Sequence, residues 1–349
     1  MALLTLEKEL IEAKLRSPRS HFAIDLQPIE YRRDPLTGMR SRINKRRAER
    51  MRQAAMRTDT VSHVAGARER DCAFCPENIE RMTPRFPSQF IPEGRIRTGS
   101  AVLFPNLYPF SEHHSVSVFS GAHSLPLGSF SANIIRDCIR ACVDYLTRVR
   151  DFSPDVRHGS INWNYMPPAG ASIVHPHLQV LADRSPTHLQ EILIQRSEEY
   201  FRKHGSNYWR DLVETEERLE ERLVHRGDDI TWLATFAPRA NDEVMAVFRD
   251  CSSITQIDER GLAELSSGIS AVLKGYSKLG VESLNMSVIS GPLDSGLESY
   301  ALNLRMNSRP RLQRYYTNDC GFMERILLES IIESNPEEVA SKLRDCFKH

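Results

Sequence analysis

Apolar residues recur at helical spacing twice along the chain, and each time short strand-like runs flank them. Ile134, Ile135, Cys138, Ile139, Cys142, Tyr145 and Leu146 predict a helix over residues 131–148. Before it, AVLFPNLYPFSEHHSVSVF reads as two short strands interrupted by Asn106, Pro109 and Ser111, a hairpin. After it, GSINWNYMPPAGASIVHPHLQV reads as strand, tight loop, strand. The same order returns further on. TWLATFAPRANDEVMAVF (231–248) matches the hairpin, ERGLAELSSGISAVLKGY (259–276) the helix, and ESLNMSVISGP (282–292) the strand behind it. The offset is about 125 residues, so the chain reads as two copies of one α+β unit. A charged stretch, 187–225, reads as a helical linker between them. The N-terminal MALLTLEKELIEAKL predicts a short amphipathic helix, and Asp34-Pro35-Leu36-Thr37-Gly38 predicts a turn. Residues 54–67, mostly small and polar, read as a loop.

Composition narrows the class. The chain has 349 residues, 40% apolar and 26% charged, enough for one large domain or two moderate ones in an ordinary soluble protein. Its 46 basic and 46 acidic residues cancel, so no global field points to nucleic acid or membrane, and anion recognition must come from local clusters. One such cluster is the basic run of residues 31–53. It reads either as a solvated helix face or as an arginine clamp for phosphates, whose oxygens the guanidinium fork matches. Seven cysteines, odd in number and unevenly spaced, argue against a disulfide framework and for a reducing compartment. Glu7, Lys8 and Glu9 stand where a signal peptide needs an apolar run, and no stretch reaches membrane-spanning length. The expected location is the cytoplasm.

Two motifs carry candidate chemistry. Cys72-Ala73-Phe74-Cys75 is a CxxC, either a redox pair or half of a tetrahedral metal site. A redox pair needs a following helix inside a βαβ unit, whereas Pro76-Glu77-Asn78 follows at once, so the metal reading is favoured. The two missing ligands come from His113, His114, His123 or His175, or from acids elsewhere. The second motif is His175-Pro176-His177-Leu178-Gln179. In a strand, alternate residues share a face, so His175, His177 and Gln179 form a polar row with apolar neighbours. The run Pro167-Pro168-Ala169-Gly170-Ala171-Ser172 just upstream lets backbone amides approach an anion. The second copy has Leu302-Asn303-Leu304-Arg305 where the first has its histidines, so one half keeps the chemistry.

DPLTG…KRRAER, CAFC, FPNLYPF and PPAGASIVHPHLQ together resemble the galactose-1-phosphate uridylyltransferase branch of the histidine triad superfamily, most strongly from Tyr31 to Val180. PEEVASKLR resembles that family's closing helix. The resemblance implies that His177 is a covalent nucleophile and that Gln179 holds the phosphoryl oxygens. It implies one structural zinc on Cys72, Cys75, His123 and His175, with His114 in reserve. It further assigns substrate contacts to Arg47, Arg50, Asn164, Gly170 and Ser172. Members with a second metal use histidines of the second repeat; Asp250-Cys251 and Asn303-Leu304-Arg305 stand there, so no second metal is expected. The family's sugar-reading string, Lys-Phe-Met-Val-Gly-Tyr-Glu, survives only as Gly321-Phe322-Met323-Glu324-Arg325, and Leu178 replaces a small residue.

The expected fold is α+β, two tandem histidine-triad-like units, each an antiparallel sheet with packed helices. The expected domains are residues 1–225, with the zinc site, catalytic strand and linker, and 226–349, the degenerate half. The expected activity moves a nucleoside monophosphate between a nucleoside diphosphate sugar and a sugar 1-phosphate by ping-pong through a nucleotidyl-histidine, in galactose or related carbohydrate metabolism. Rival readings are a nucleotide-sugar or dinucleotide phosphorylase using inorganic phosphate, and a non-catalytic nucleotide-binding protein. The partners are a nucleotide or nucleotide sugar and a phosphorylated acceptor, without nucleic acid or membrane; a homodimer is an assembly this reading admits.

Overall fold

The N-terminal segment is a strand, not the expected helix. In the computed structural model, which describes residues 4–47, 71–311 and 318–348, β1 (Lys8–Ser17) pairs antiparallel with β2 (Ala23–Arg33) from Lys8↔Arg32 to Ser17↔Ala23. Leu10, Ile11 and Leu15 imitate a helical stripe, but a cross-strand partner outweighs so weak a local preference. The ribbon continues into β3 (Arg40–Ile43), through the Asp34–Gly38 turn that the sequence predicts. There Asp34 Oδ1 accepts the N–H groups of Leu36 and Thr37, and Gly38 supplies a φ of +73°. The basic run of residues 31–53 therefore begins as strand and turn rather than as a helix face. The loop expected at 54–67 lies outside the described residues.

A seven-residue helix, α1 (Pro76–Met82), follows the CxxC. Pro76 stands at its first turn, where a missing N–H does no harm, so the proline that argued against a helix here starts one. The first unit then runs β4 (Ile96–Thr98), β5 (Ala101–Pro105), β6 (His113–Val118), α2 (Ala132–Phe152), β7 (His158–Tyr165) and β8 (His177–Asp183). The linker contains two helices, α3 (His188–His204) and α4 (Tyr208–Leu219). The second unit repeats the first: β9 (Leu223–Arg226), β10 (Ile230–Ala234), β11 (Val244–Phe248), α5 (Glu259–Lys278), β12 (Leu284–Ile289) and β13 (Asn303–Ser308). α6 (Phe322–Arg325), β14 (Ser330–Ile332) and α7 (Pro336–Arg344) close the chain, with β14 joining the ribbon parallel to β3.

The two units share one ten-stranded sheet in the order β4-β5-β6-β8-β7-β12-β13-β11-β10-β9. Read outward from the central β7–β12 pair, the order is the same in both directions. That is the internal repeat seen as topology. α2 and α5 pack on one face and on each other, joining both units in a single core. Ser131 and Asp258 cap their N-termini, accepting from Ile134 and Gly261. Gly268, in the middle of α5, admits the Trp232 indole, which a Cβ would meet at 2.3 Å. The opposite face is covered in two ways: Phe74 and Ile79 pack on Phe104, Val116 and Val118 in the first unit, and α4 packs on Leu233, Met245 and Val247 in the second.

Candidate active site

Strand alternation puts Leu178, Val180 and Ala182 into the core and turns His177 and Gln179 to the other face. β8 begins at His177, so His175 is not part of the strand row that the motif predicts. Pro176 separates them, and the His175 ring turns instead toward the CxxC segment. Its Nδ1 lies 3.6 Å from Cys75 Sγ and 3.8 Å from Cys72 Sγ, while its Nε2–H donates to the Ser120 carbonyl at 2.8 Å. His123 Nδ1 is 3.3 Å from Cys75 Sγ. The ligand atoms of Cys72, Cys75, His123 and His175 all lie within 4.8 Å of one another. A tetrahedral ion with bonds of about 2.0–2.3 Å holds its ligand atoms about 3.3–3.8 Å apart, so two sulfurs and two imidazole nitrogens at these separations fit a metal-binding group. Burial holds the His175 pKa below its usual value, which favours the neutral ring that a metal ion requires. His113 and His114 take no part; His113 reaches Ser153 Oγ at 3.2 Å.

His177 is 7% exposed, and burial pushes its pKa down against the opposing hydrogen bond to a carbonyl. Its Nδ1–H donates to the His175 carbonyl at 2.8 Å, which fixes the tautomer and leaves Nε2 with a free lone pair. Phe74, from inside the CxxC, packs edge-on against the ring at 5.2 Å between centroids. Phe74 also lines a cavity of about 200 Å3 with Ile79, Val102, Val118, Glu80 and Arg97. The metal-binding group and the nucleophile candidate are thus consecutive along one segment: the residue that turns to the cysteines also offers the carbonyl that orients His177.

Asn164 lies near the end of β7, beside the glycine loop. Its Oδ1 accepts from Asn285 of β12 at 2.7 Å, and the same Asn285 amide donates to the Ala169 carbonyl at 2.9 Å. Gly170 takes φ +94°, and a Cβ there would meet Asn164 Nδ2 at 3.5 Å. The loop's own turn uses the N–H groups of Ala169, Gly170 and Ala171. Among the described residues, the first loop amide without a partner is therefore that of Ser172, an exposed residue. Arg47 does not join this group. It sits 4.0 Å from Glu333 and lines a separate cleft of about 810 Å3 with Lys45, Phe322 and Glu324. Among the described residues no contact links it to His177, and Arg50 lies outside them.

Two contributors were not visible in the motifs. His114 Nε2 lies 2.9 Å from Gln179 Oε1, and Asn285 reaches the loop from the second unit. Only the β6–β8 and β7–β12 pairings bring them there. Among the described residues no helix is long and apolar enough to cross a membrane.

No protein-family model matches the chain. An uncharacterized protein of Archaeoglobus fulgidus is 29% identical over 320 residues, 91% of this chain and 92% of that one. Among solved structures, an ADP-glucose phosphorylase from Arabidopsis thaliana with bound ADP-glucose aligns with a TM-score of 0.69 at 18% identity, covering 91% of this chain and 99% of its own. A uridylyltransferase aligns with a TM-score of 0.67, also at 18% identity, over 91% and 98% of the two chains. The chain has the fold of these phosphorylase and uridylyltransferase structures, the fold that the resemblance in the motifs implies.

Proposed function

We propose that the protein is a nucleotidyltransferase that carries a nucleoside monophosphate on His177 between a nucleoside diphosphate sugar and a sugar 1-phosphate. The observation that carries this reading is the His177 ring itself: its Nδ1–H is committed to the His175 carbonyl, leaving Nε2 as a neutral nucleophile beside Gln179 and the glycine loop. The Nε2 lone pair attacks the α-phosphorus, the bond from phosphorus to the bridging oxygen breaks, and the sugar phosphate leaves with that electron pair. A phosphate oxygen of the second substrate then attacks the same phosphorus and releases the imidazole. Gln179, Ser172 and its amide stabilise the charge on the transferring group, and Asn164 supports the loop. The cavity beside Phe74 offers the nucleoside an apolar wall. Cys72, Cys75, His123 and His175 would hold zinc, a soft tetrahedral site whose chemistry is structural: it ties the CxxC segment to the catalytic strand. Residues 1–225 form the working half and 226–349 the degenerate one.

The proposal extends to a cytoplasmic homodimer in which Arg47 and Arg50 meet the outer phosphate. Supporting it are the ribbon β1–β2, which leaves Leu10, Phe22, Ile24 and Leu26 exposed, and the separation of Arg47 from His177 within one chain. A second reading, a phosphorylase with inorganic phosphate as acceptor, is favoured by the likeness to ADP-glucose phosphorylase. The test is to incubate the protein with ADP-glucose or UDP-glucose and no acceptor, quench in base because a phosphoramidate is acid-labile, and weigh the intact chain. A gain of one nucleoside monophosphate is expected. Release by glucose 1-phosphate supports the transferase, and release by inorganic phosphate the phosphorylase. Tight binding in a thermal-shift assay without any covalent gain would make the protein a binding module.

A further inference from the structure

We infer that His114 is a positioning residue that sets which end of the Gln179 side-chain amide faces the reacting phosphate. The inference rests on the proposed transfer through His177. His114 is 4% exposed, under the Phe110 ring, and a chain of polar contacts runs through it. The Phe110 backbone N–H donates to its Nδ1 at 3.4 Å, so the ring proton sits on Nε2, which donates to Gln179 Oε1 at 2.9 Å. With the carbonyl end of Gln179 held this way, the NH2 end is left to donate to phosphoryl oxygens. Released from His114, the amide can turn over and present its carbonyl to an anion, which repels it. Asn106 Nδ2, 3.1 Å from the same His114 Nε2, opposes this tautomer unless its own amide turns. Turning it releases only the exposed Tyr108 N–H, which water can satisfy. The other tautomer sets two N–H groups against each other at Phe110, crowds two donors on one lone pair, and reverses Gln179.

The duplicated unit contains the same three-part contact. In the sheet register, Met245 pairs with Arg305 as Val116 pairs with Gln179, so Glu243 stands at the place of His114. The Arg239 N–H donates to Glu243 as the Phe110 N–H does to His114, and Glu243 meets Arg305 at 2.9 Å as His114 meets Gln179. The difference is polarity. In the second unit the β6-equivalent residue only accepts; in the first it accepts from the backbone and donates to Gln179, leaving donors free toward the substrate.

The test compares His114→Phe, His114→Gln and Gln179→Ala, with the double variant, by single-turnover labelling of His177. His114→Phe keeps the volume without the donor and should slow labelling about 100-fold, the scale of one misdirected charge-stabilising donor, with donor-substrate affinity changed less than about threefold. His114→Gln retains a donor and an acceptor and should recover at least about tenfold of that loss. In the Gln179→Ala background, His114→Phe should add less than about threefold, because its role is already gone. Losses that multiply, or a Gln variant no better than Phe, overturn the inference. Should His114→Phe not fold, long-range 15N–1H correlation of the wild-type ring decides: an Nε2–H tautomer is expected, and an Nδ1–H tautomer overturns it. A wild type that never labels defeats the transfer reading itself, whatever the tautomer.

Discussion

The two halves of the sheet cover the same face in different ways. In the first unit, β8 carries His177 and Gln179, and the neighbouring β5 and β6 carry Phe104, Val116 and Val118, packed beneath Phe74 and Ile79 of the CxxC segment and α1. In the second, β13 shows Asn303 and Arg305 at the matching register, and α4 lies over them. Tyr208, Trp209 and Leu212 of α4 press onto Leu233, Met245 and Val247, and Asn303 is fully buried with its amide donating to Tyr300 and Ala301. The linker that reads as a charged connection is therefore a plug. Burying Trp209 and its neighbours stabilises the fold by about 2 kcal/mol per large side chain, and forgoes a binding face in exchange. The second unit also supports the first: it continues the sheet past β7 and sends Asn285 back to the Ala169 carbonyl of the glycine loop. The first unit's face holds the candidate nucleophile beneath the CxxC segment, and the second unit's is filled by a helix.

The largest expected effect tests that asymmetry directly. His177→Gly should abolish nucleotidyl labelling, a loss of about 10^4-fold or more, while Asn303→Ala at the matching place should leave it within about twofold. Intact mass after a basic quench reads both. Equal effects would erase the distinction between the halves.

Metal removal comes next. Elemental analysis should find one zinc per chain, and Cys75→Ser or chelation should release it and lower stability by about 5 kcal/mol, because the ion joins segments about 100 residues apart. The core runs through both units, so the thermal transition should stay single rather than split, as calorimetry can check. An unchanged zinc content in Cys75→Ser would break the assignment.

Arg305→Gln makes the second unit imitate the first. It strands Glu243, whose side chain is 3% exposed, without its guanidinium, and should cost about 3–5 kcal/mol in urea titrations while creating no second labelling site. A neutral substitution would mean that the buried pair is better solvated than its surroundings allow.

The smallest effect is acid-dependent and belongs to the second unit. Burial pushes the Glu337 pKa up, but hydrogen bonds from Arg32 and Arg222 prevail and hold it at about 2 against an ordinary 4.5. A depressed carboxylate contributes stability that is complete above the unfolded value and disappears as pH falls through the folded one. The fall should therefore occur between about pH 4.5 and 2, and because the group is partly exposed it should amount to only about 1 kcal/mol. Urea midpoints across that window should flatten in Glu337→Gln; an unaltered slope would remove Glu337 from the account.

Much of this molecule was legible before folding was considered. The α2 and α5 stripes, the strand–loop–strand around HPHLQ and the repeat itself follow from periodicities long enough to outweigh local accident. The N-terminal ribbon was not legible, because Leu10, Ile11 and Leu15 satisfy a helical stripe and a strand equally until β2 supplies hydrogen bonds. The polar row failed at one residue: Pro176 separates His175 from the strand and hands it to the cysteines.

By itself the sequence determined which chemical groups exist, in what local order, and on which face of each strand: two thiols three residues apart, imidazoles flanking a proline, a glycine where φ must be positive. Local order dictates these because strand and turn geometry extend over only a few residues. Only the tertiary structure decided which two of four histidines complete the metal-binding group, that His114 meets Gln179, that α4 closes the second face, and that Arg47 stands apart from His177. Those outcomes depend on which strands become neighbours in the sheet, and burial of both units' apolar faces in one core selects that pairing.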